Sequence, residues 1–384
     1  MLEITEGSHA VADAVRLCRP QVVSAYPITP QTHIVEALAD FVANGTLDAE
    51  YITVENELSA LSACVGASAA GSRTYSATTS QGLMLMAEVV FNAAGMRLPI
   101  IMSIANRAMG APLSIWNDMQ DSISLRDAGW LQFYAEDNQE ATDLHYIAYR
   151  VAEDKSIQLP AFVCFDGFIL SHTYEPVDTL TQEQVDTYLP KFAPDERLDA
   201  KDPISFGMYA TPEYYLEFRY EMDEAQKRAK EVIHKAGKEF ATLFGRDYSA
   251  LTEGYLLKDA ETVIVAMGSI CGTTKDAIDE MRAAGKKVGL LKVRVFRPFP
   301  TEDVKKALAH AKRVAVLDKN ISLGAKGALA LEIKDALYGL TIPVKGYILG
   351  LGGRDVRKSD IKEIVALLEK GQGDQFIGLR KEVL

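Results

Sequence analysis

Apolar positions along this chain recur in two alternating rhythms. From Thr32 to Ala43, the residues Ile34, Val35, Leu38, Ala39 and Val42 share one face of a 3.6-residue repeat, which predicts a helix. Gly7 to Leu17 reads as an earlier helix, and the short runs Gln21–Tyr26 and Tyr51–Val54 read as buried strands. Another helix is expected from about Glu57 to Ala70, where Gly71 ends it. Arg73–Thr78, Pro99–Ala105 and Ala161–Phe165 are strand-like. This alternation implies a parallel sheet covered on both faces, and hence a first α/β domain over 1–175.

Between 176 and 257 the pattern changes to proline- and charge-rich segments around one long amphipathic helix. Thr211-Pro212-Glu213 supplies its start, a cap followed by proline in the first turn. Apolar positions continue through Tyr214, Phe218, Met222, Ala225, Ala229, Val232 and Ile233, and Gly237 marks the expected end. Such a helix suits a brace between domains or a subunit contact. A second open-sheet domain is expected over 258–384. Its strands are 262–267, 287–296, 313–317 and 344–349, and its helices 273–284, 301–311, 324–338 and 358–369.

Composition narrows the function classes. The chain has 384 residues, 48% of them apolar and 24% charged, enough for two or three ordinary cores. A net charge of −12 gives no basic face for nucleic acid. No window holds the roughly 18 apolar residues of a membrane span, and early acids at the N-terminus do not resemble a secretion signal, so a cytoplasmic protein without membrane contact is expected. The four cysteines, Cys18, Cys64, Cys164 and Cys271, lack cluster-ligand spacing, and the six histidines show no HxxxH-type spacing. No metal ligands are therefore assigned to this chain.

Its glycine-rich turns are not nucleotide fingerprints. Gly268-Ser269-Ile270-Cys271-Gly272 and Gly350-Leu351-Gly352-Gly353 both miss the G-x-G-x-x-G spacing, and tight turns account for them.

Four segments of the first domain carry the chemistry. In Tyr26-Pro27-Ile28-Thr29-Pro30 two prolines fix the backbone and force Tyr26 and Thr29 toward extended geometry, displaying Thr29 beyond a strand end, where open α/β sheets bind ligands. Glu57 opens a helix built almost wholly of small residues, so another surface must pack closely on it. A helix-end carboxylate has a plain dipole explanation, and composition alone favours it. Thr78-Thr79-Ser80-Gln81-Gly82 sets polar groups at a strand-to-helix turn, and Arg107 follows an apolar strand, where it could grip a carboxylate bidentately, although taken alone such an arginine is more often a surface residue.

At these segments the chain resembles the α chains of multi-subunit 2-oxoacid:ferredoxin oxidoreductases, most closely those acting on pyruvate. The resemblance continues through Val295-Phe296-Arg297-Pro298-Phe299-Pro300 and Gly350-Leu351-Gly352-Gly353-Arg354-Asp355, nearly end to end. It implies a pyrimidine-binding thiamine diphosphate domain followed by a transketolase C-terminal-like domain. Glu57 then matches the acid that hydrogen-bonds the cofactor's aminopyrimidine, and it is preferred to Glu55 because it directly precedes the small-residue helix. Ser80 and Gln81 match cofactor-contacting positions, and Thr29 and Arg107 match contacts to the 2-oxoacid.

The same resemblance makes coenzyme A a co-substrate and assigns functions to other chains. The superfamily's G-D-G motif for Mg²⁺ and the cofactor diphosphate is missing here; Gly373-Asp374-Gln375 is a tail. A β subunit would supply it, γ- and δ-type subunits the iron–sulfur clusters, and ferredoxin would take the electrons. Alternatives are an enzyme for 2-oxoisovalerate, 2-oxoglutarate or an arylpyruvate, a transketolase-like enzyme, or a non-catalytic scaffold of the same fold.

Overall fold

Runs of apolar residues form strands here because both faces of each are covered, and this buries every residue of the central ones. A computed structural model describes residues 2–384. β1 (Leu2–Glu6) leads into α1 (Gly7–Leu17), followed by β2 (Val22–Ser24), α2 (Thr32–Ala43), β3 (Glu50–Ile52) and α3 (Glu57–Ala69). Then come β4 (Thr74–Thr78), α4 (Ser80–Leu85), α5 (Ala87–Gly95), β5 (Ile101–Asn106) and α6 (Gln120–Ser124). β6 (Leu131–Tyr134), α7 (Asn138–Ala152), β7 (Ala161–Asp166) and β8 (Tyr174–Asp178) follow, and β8 pairs antiparallel with β1.

The middle of the chain holds α8 (Gln182–Tyr188) and the long α9 (Tyr215–Phe244). After it come β9 (Thr252–Tyr255), β10 (Thr262–Ala266), α10 (Ile270–Ala283), β11 (Val288–Val293), β12 (Val295–Arg297) and α11 (Thr301–Leu308). β13 (Arg313–Asp318), α12 (Ala328–Ala336), β14 (Val344–Ile348), α13 (Lys358–Glu369) and β15 (Gln375–Phe376) complete the order.

One sheet runs β12-β6-β7-β5-β4-β2-β3, parallel except for the edge strand β12; the other runs β15-β14-β13-β10-β11-β9, parallel except for β9. The apolar run expected as one strand over 287–296 is in fact two. β11 belongs to the second sheet, whereas β12 crosses to the first and pairs with β6. Arg294 sits at the switch: its N–H donates to the Leu251 carbonyl at 3.0 Å, before β9 of the second sheet, and its carbonyl accepts the Tyr134 N–H of β6 at 2.8 Å. Its buried guanidinium donates to Glu140 at 2.6 Å, to the Ala250 carbonyl at 2.6 Å and to Glu253 at 2.5 Å, so the charge is paired where the chain changes sheet. Burial pushes the Glu140 carboxyl upward, but Lys292 and Arg294 outweigh it and hold the group below its ordinary value. An apolar cluster also spans the two sheets, joining Met102, Ile104 and Phe162 to Val263, Val265, Val314 and Val316.

Gly237 does not end the long helix. α9 continues to Phe244 and stops at Gly245, which has φ of 77°. A Cβ on Gly237 would lie 2.5 Å from the Cα of Ser249, so this glycine permits a close backbone crossing. α7 is an additional helix not among those expected, and nearly all of it is buried, polar positions included. Asp143, for example, is satisfied by Arg246 at 2.6 Å and by the Tyr248 hydroxyl at 2.9 Å. All four cysteines are free and buried.

Candidate active site at the carboxyl edge of the first sheet

β5, β4, β2 and β3 are parallel neighbours, so the segments that leave their carboxyl ends emerge on one edge. Those segments are Arg107 and its successors, Thr79–Gly82, Tyr26–Gln31 and Thr53–Glu57. Sheet order thus gathers residues that the chain keeps far apart.

Glu57 occupies the first turn of α3, whose cap is Asn56 Oδ1 accepting from the Ser59 N–H at 2.9 Å. It is only 7% exposed, and its carboxylate accepts no hydrogen bond from any described residue. Glu55 differs sharply: it is exposed, takes the Ser59 hydroxyl at 2.5 Å, and is held below its usual carboxylate value chiefly by that bond. Beneath Glu57 lies Gly82. A Cβ there would sit 2.6 Å from both Glu57 Oε1 and Thr78 Oγ1, and Thr78 Oγ1 is itself buried without a partner. Glycine here lets the Glu57 carboxylate and the unpartnered Thr78 hydroxyl pack closer to the backbone than any side chain would allow.

Ser80 adopts φ of 48°, a left-handed conformation costing about 1–3 kcal/mol that must be held by its surroundings. Its N–H donates to Asp121 at 2.9 Å and its hydroxyl to the Ala108 carbonyl at 2.5 Å, while a short bond also joins that hydroxyl to Gln81 Oε1. Asp121 is the hub that sequence reasoning missed. Its carboxylate also accepts the Arg107 N–H at 3.0 Å and Asn106 Nδ2 at 2.7 Å, tying the β4 and β5 edges together. Burial raises the Asp121 carboxyl to about 6, with the converging donors opposing the shift. Nothing in its local sequence singled it out, because its partners are brought to it by the sheet.

Arg107 is 6% exposed, and burial pulls it below its ordinary value despite Asp121. Its Nη1 donates to the Thr29 carbonyl at 2.8 Å and its Nε to the Ser114 carbonyl at 3.1 Å. Two of the five guanidinium N–H groups are thus committed to loops, and one on Nη1 and both on Nη2 are left for a ligand. Thr29 itself is exposed. Gln31, also missed, anchors its loop by donating to the Tyr26 carbonyl at 2.8 Å and to that of Ala77 at 3.2 Å. A cavity of about 1220 Å³ lined by His234, Leu251, Leu257 and His310 includes none of these residues.

Comparison with known proteins places this edge in context. The family described as pyruvate flavodoxin/ferredoxin oxidoreductase, thiamine diphosphate-binding, matches residues 13–238, and pyruvate:ferredoxin oxidoreductase core domain II matches residues 260–361. The chain belongs to the pyruvate:ferredoxin oxidoreductase family. Pyruvate synthase subunit PorA of Methanothermobacter thermautotrophicus is 53% identical over 383 residues, covering 100% of this chain and 99% of that one. PorA of Pyrococcus furiosus is 49% identical over 392 residues, with 100% and 99% covered. Ketoisovalerate oxidoreductase subunit VorA of Pyrococcus horikoshii is 50% identical over 371 residues, with 96% and 94% covered.

Among solved structures, a 2-oxoglutarate:ferredoxin oxidoreductase from Magnetococcus marinus with 2-oxoglutarate, coenzyme A and succinyl-CoA bound superposes with a TM-score of 0.73 at 19% identity. The match covers 97% of this chain and 65% of that longer one. A split-gene transketolase superposes at 0.56 and 13% identity, covering 96% and 98%. These two likenesses speak for the fold: a thiamine diphosphate-binding domain followed by a transketolase C-terminal-like domain. The edge residues suit the family's cofactor, because the Glu57 carboxylate, on a residue only 7% exposed, accepts no hydrogen bond from the described residues and is left for a nitrogen heterocycle with an N–H.

Proposed function

We propose that this chain is the α subunit of a pyruvate:ferredoxin oxidoreductase, which oxidatively decarboxylates pyruvate to acetyl-CoA and CO₂ and passes the electrons to ferredoxin. Full-length identity of about half to pyruvate synthase subunits supports the reaction. The unpaired Glu57 carboxylate over Gly82 is the observation that supports a cofactor-activating role for this chain.

Thiamine diphosphate, when bound, supplies the carbon nucleophile and the electron sink. Glu57 would accept a charge-assisted hydrogen bond from the ring nitrogen at its Oε atoms. Ser80 and Gln81 shape the cofactor side of the cleft, with Ser80 locked by Asp121. Arg107 and Thr29 face the 2-oxoacid: Nη2 and the second N–H of Nη1 of Arg107 remain to meet its carboxylate, and the exposed Thr29 offers its hydroxyl.

The remaining parts belong to other chains. We assign Mg²⁺ and the diphosphate to a β subunit, the iron–sulfur clusters to γ- and δ-type subunits, and coenzyme A to the assembled cytoplasmic complex. Surface chemistry supports such an assembly. On α3, Ser62, Gly66 and Ala70 form an exposed small-residue stripe, and α4 and α5, which pack on α3, expose Leu85 and Phe91. Tyr26, Ile52 and Leu113 are exposed near the same edge. Apolar surface at the edge of a half-built site suits a partner chain. Among the described residues no helix is long and apolar enough to cross a membrane.

The test is pyruvate-dependent viologen reduction by the purified complex, with and without coenzyme A, across a panel of 2-oxoacids. Preference for pyruvate with strict coenzyme A dependence is expected. A preference for 2-oxoisovalerate would favour the second reading, which the similarity to VorA keeps specific. The two substrates differ by methyl groups, worth about 1–3 kcal/mol in a pocket.

A further inference from the structure

Histidines that lie far apart in the sequence meet at one corner of the first sheet. Glu6 ends β1, His33 sits in the first turn of α2, and His172 lies in the loop between β7 and β8. One ligand-capable atom from each, a carboxylate oxygen and two imidazole nitrogens, lies within 4.8 Å of the others. His33 Nδ1 is 2.6 Å from Glu6 Oε1, and the His33 and His172 ring centroids are 4.7 Å apart. A buried acid beside one histidine is an ordinary pair. A second imidazole closing over it makes a three-donor set.

The surroundings of His172 extend that reading. Its Nδ1 is 2.7 Å from the Ser171 hydroxyl, which accepts the Phe168 N–H at 2.8 Å. In the tautomer whose Nδ1–H donates to Ser171, Nε2 keeps its lone pair for a cation. Metal-ligating histidines ordinarily make this kind of outer bond, which fixes the tautomer and orients the ring. His9, exposed in the first turn of α1, has its ring centroid 6.2 Å from that of His33 and lies outside the three-donor set.

We propose that Glu6, His33 and His172 form a binding site for a divalent transition cation of the zinc, cobalt or nickel class. Two imidazoles and one carboxylate suit these ions, whereas calcium and magnesium require mainly oxygen ligands. Water completes the coordination. The cation ties the starts of α1 and α2 to the β7–β8 loop. That loop already touches the Thr29 segment, since a Cβ on Gly167 would lie 2.6 Å from Pro30 Cγ. An occupied site would therefore brace the loop that displays Thr29 without entering the cleft.

The test uses untagged full-length chain stripped with chelator, titrated with Zn²⁺ by calorimetry and with Co²⁺ by visible absorption. One cation per chain is expected, with Co²⁺ bands of a low-coordinate nitrogen and oxygen site. His33→Ala and His172→Ala should each weaken binding by on the order of 100-fold, and Ser171→Ala by about 10-fold. His310→Ala, remote and exposed, should leave it unchanged. Circular dichroism checks each variant's fold; if His33→Ala unfolds, His172→Asn in the loop carries the comparison. Absence of saturable binding at one equivalent, or binding that survives loss of both His33 and His172, overturns the proposal and leaves only a Glu6–His33 pair.

Discussion

Arg107 and Thr29 are 78 positions apart, and the guanidinium of the first donates to the main-chain carbonyl of the second at 2.8 Å. This bond couples the two residues assigned to the substrate: the cation that would meet a carboxylate also holds the loop that presents a hydroxyl. We predict that Arg107→Ala in the assembled complex raises the KM for the 2-oxoacid roughly 10- to 100-fold, the loss expected for a charge-assisted contact of about 1.5–3 kcal/mol. Steady-state kinetics with unchanged KM and kcat would show that this arginine does not meet substrate.

Glu57→Gln should abolish 2-oxoacid oxidation while leaving subunit assembly intact. Glutamine keeps the shape of the side chain but removes the negative charge that strengthens the bond from the ring nitrogen. Viologen reduction together with size-exclusion profiles of the complex checks both halves, and near-normal turnover would sink the assignment.

Gly82→Ala probes the packing beneath the same carboxylate. The added methyl would lie 2.6 Å from Glu57 Oε1 and Thr78 Oγ1, so these groups must shift and the Glu57 carboxylate is moved. Weaker thiamine diphosphate binding is expected, with little change in the circular dichroism spectrum. Wild-type cofactor affinity would mean that the heterocycle sits elsewhere.

Asp121 gives a pH signature. Its folded value of about 6 exceeds the unfolded value near 4, so between these the folded chain holds a proton that the unfolded chain has released. The associated stability is complete below about pH 4 and is lost as pH rises through about 6. Denaturant midpoints of wild type relative to Asp121→Asn should therefore shift in favour of wild type as pH falls from 7 to 5. Identical pH dependence in the two proteins would exclude Asp121 as the titrating group.

Gly237→Ala places a methyl 2.5 Å from the Ser249 Cα, a backbone atom with little freedom to yield. A loss of about 1–3 kcal/mol is predicted, read as a lower midpoint of unfolding. No loss would show that α9 can shift along Ser249 at no cost.

Much of this architecture is legible from local pattern. α1, α2 and α13 fall within the expected spans, because each has one apolar face and a polar one. α7 is not among the expected helices, although Ala141, Leu144, Ile147, Ala148 and Val151 recur at helical spacing; what the local pattern could not tell is that its polar face is buried too. The split between β11 and β12 was equally hidden: an apolar run says that a segment is buried, but not beside which sheet.

The candidate site divides in the same way. Residue type and local order determined the α/β alternation, the stiff Thr29 loop, the small-residue helix that Glu57 begins, and the polar turn at Ser80 and Gln81, because these depend on neighbours in the chain. Only tertiary structure decided that four strand ends share one edge, that Asp121 binds both Ser80 and Arg107, that two N–H groups of the Arg107 guanidinium are already committed, and that His33 and His172 close over Glu6. The physical reason is range. Backbone preference and periodicity act over a few residues, whereas hydrogen bonds and charge pairing act between groups that chain topology alone brings within about 3 Å.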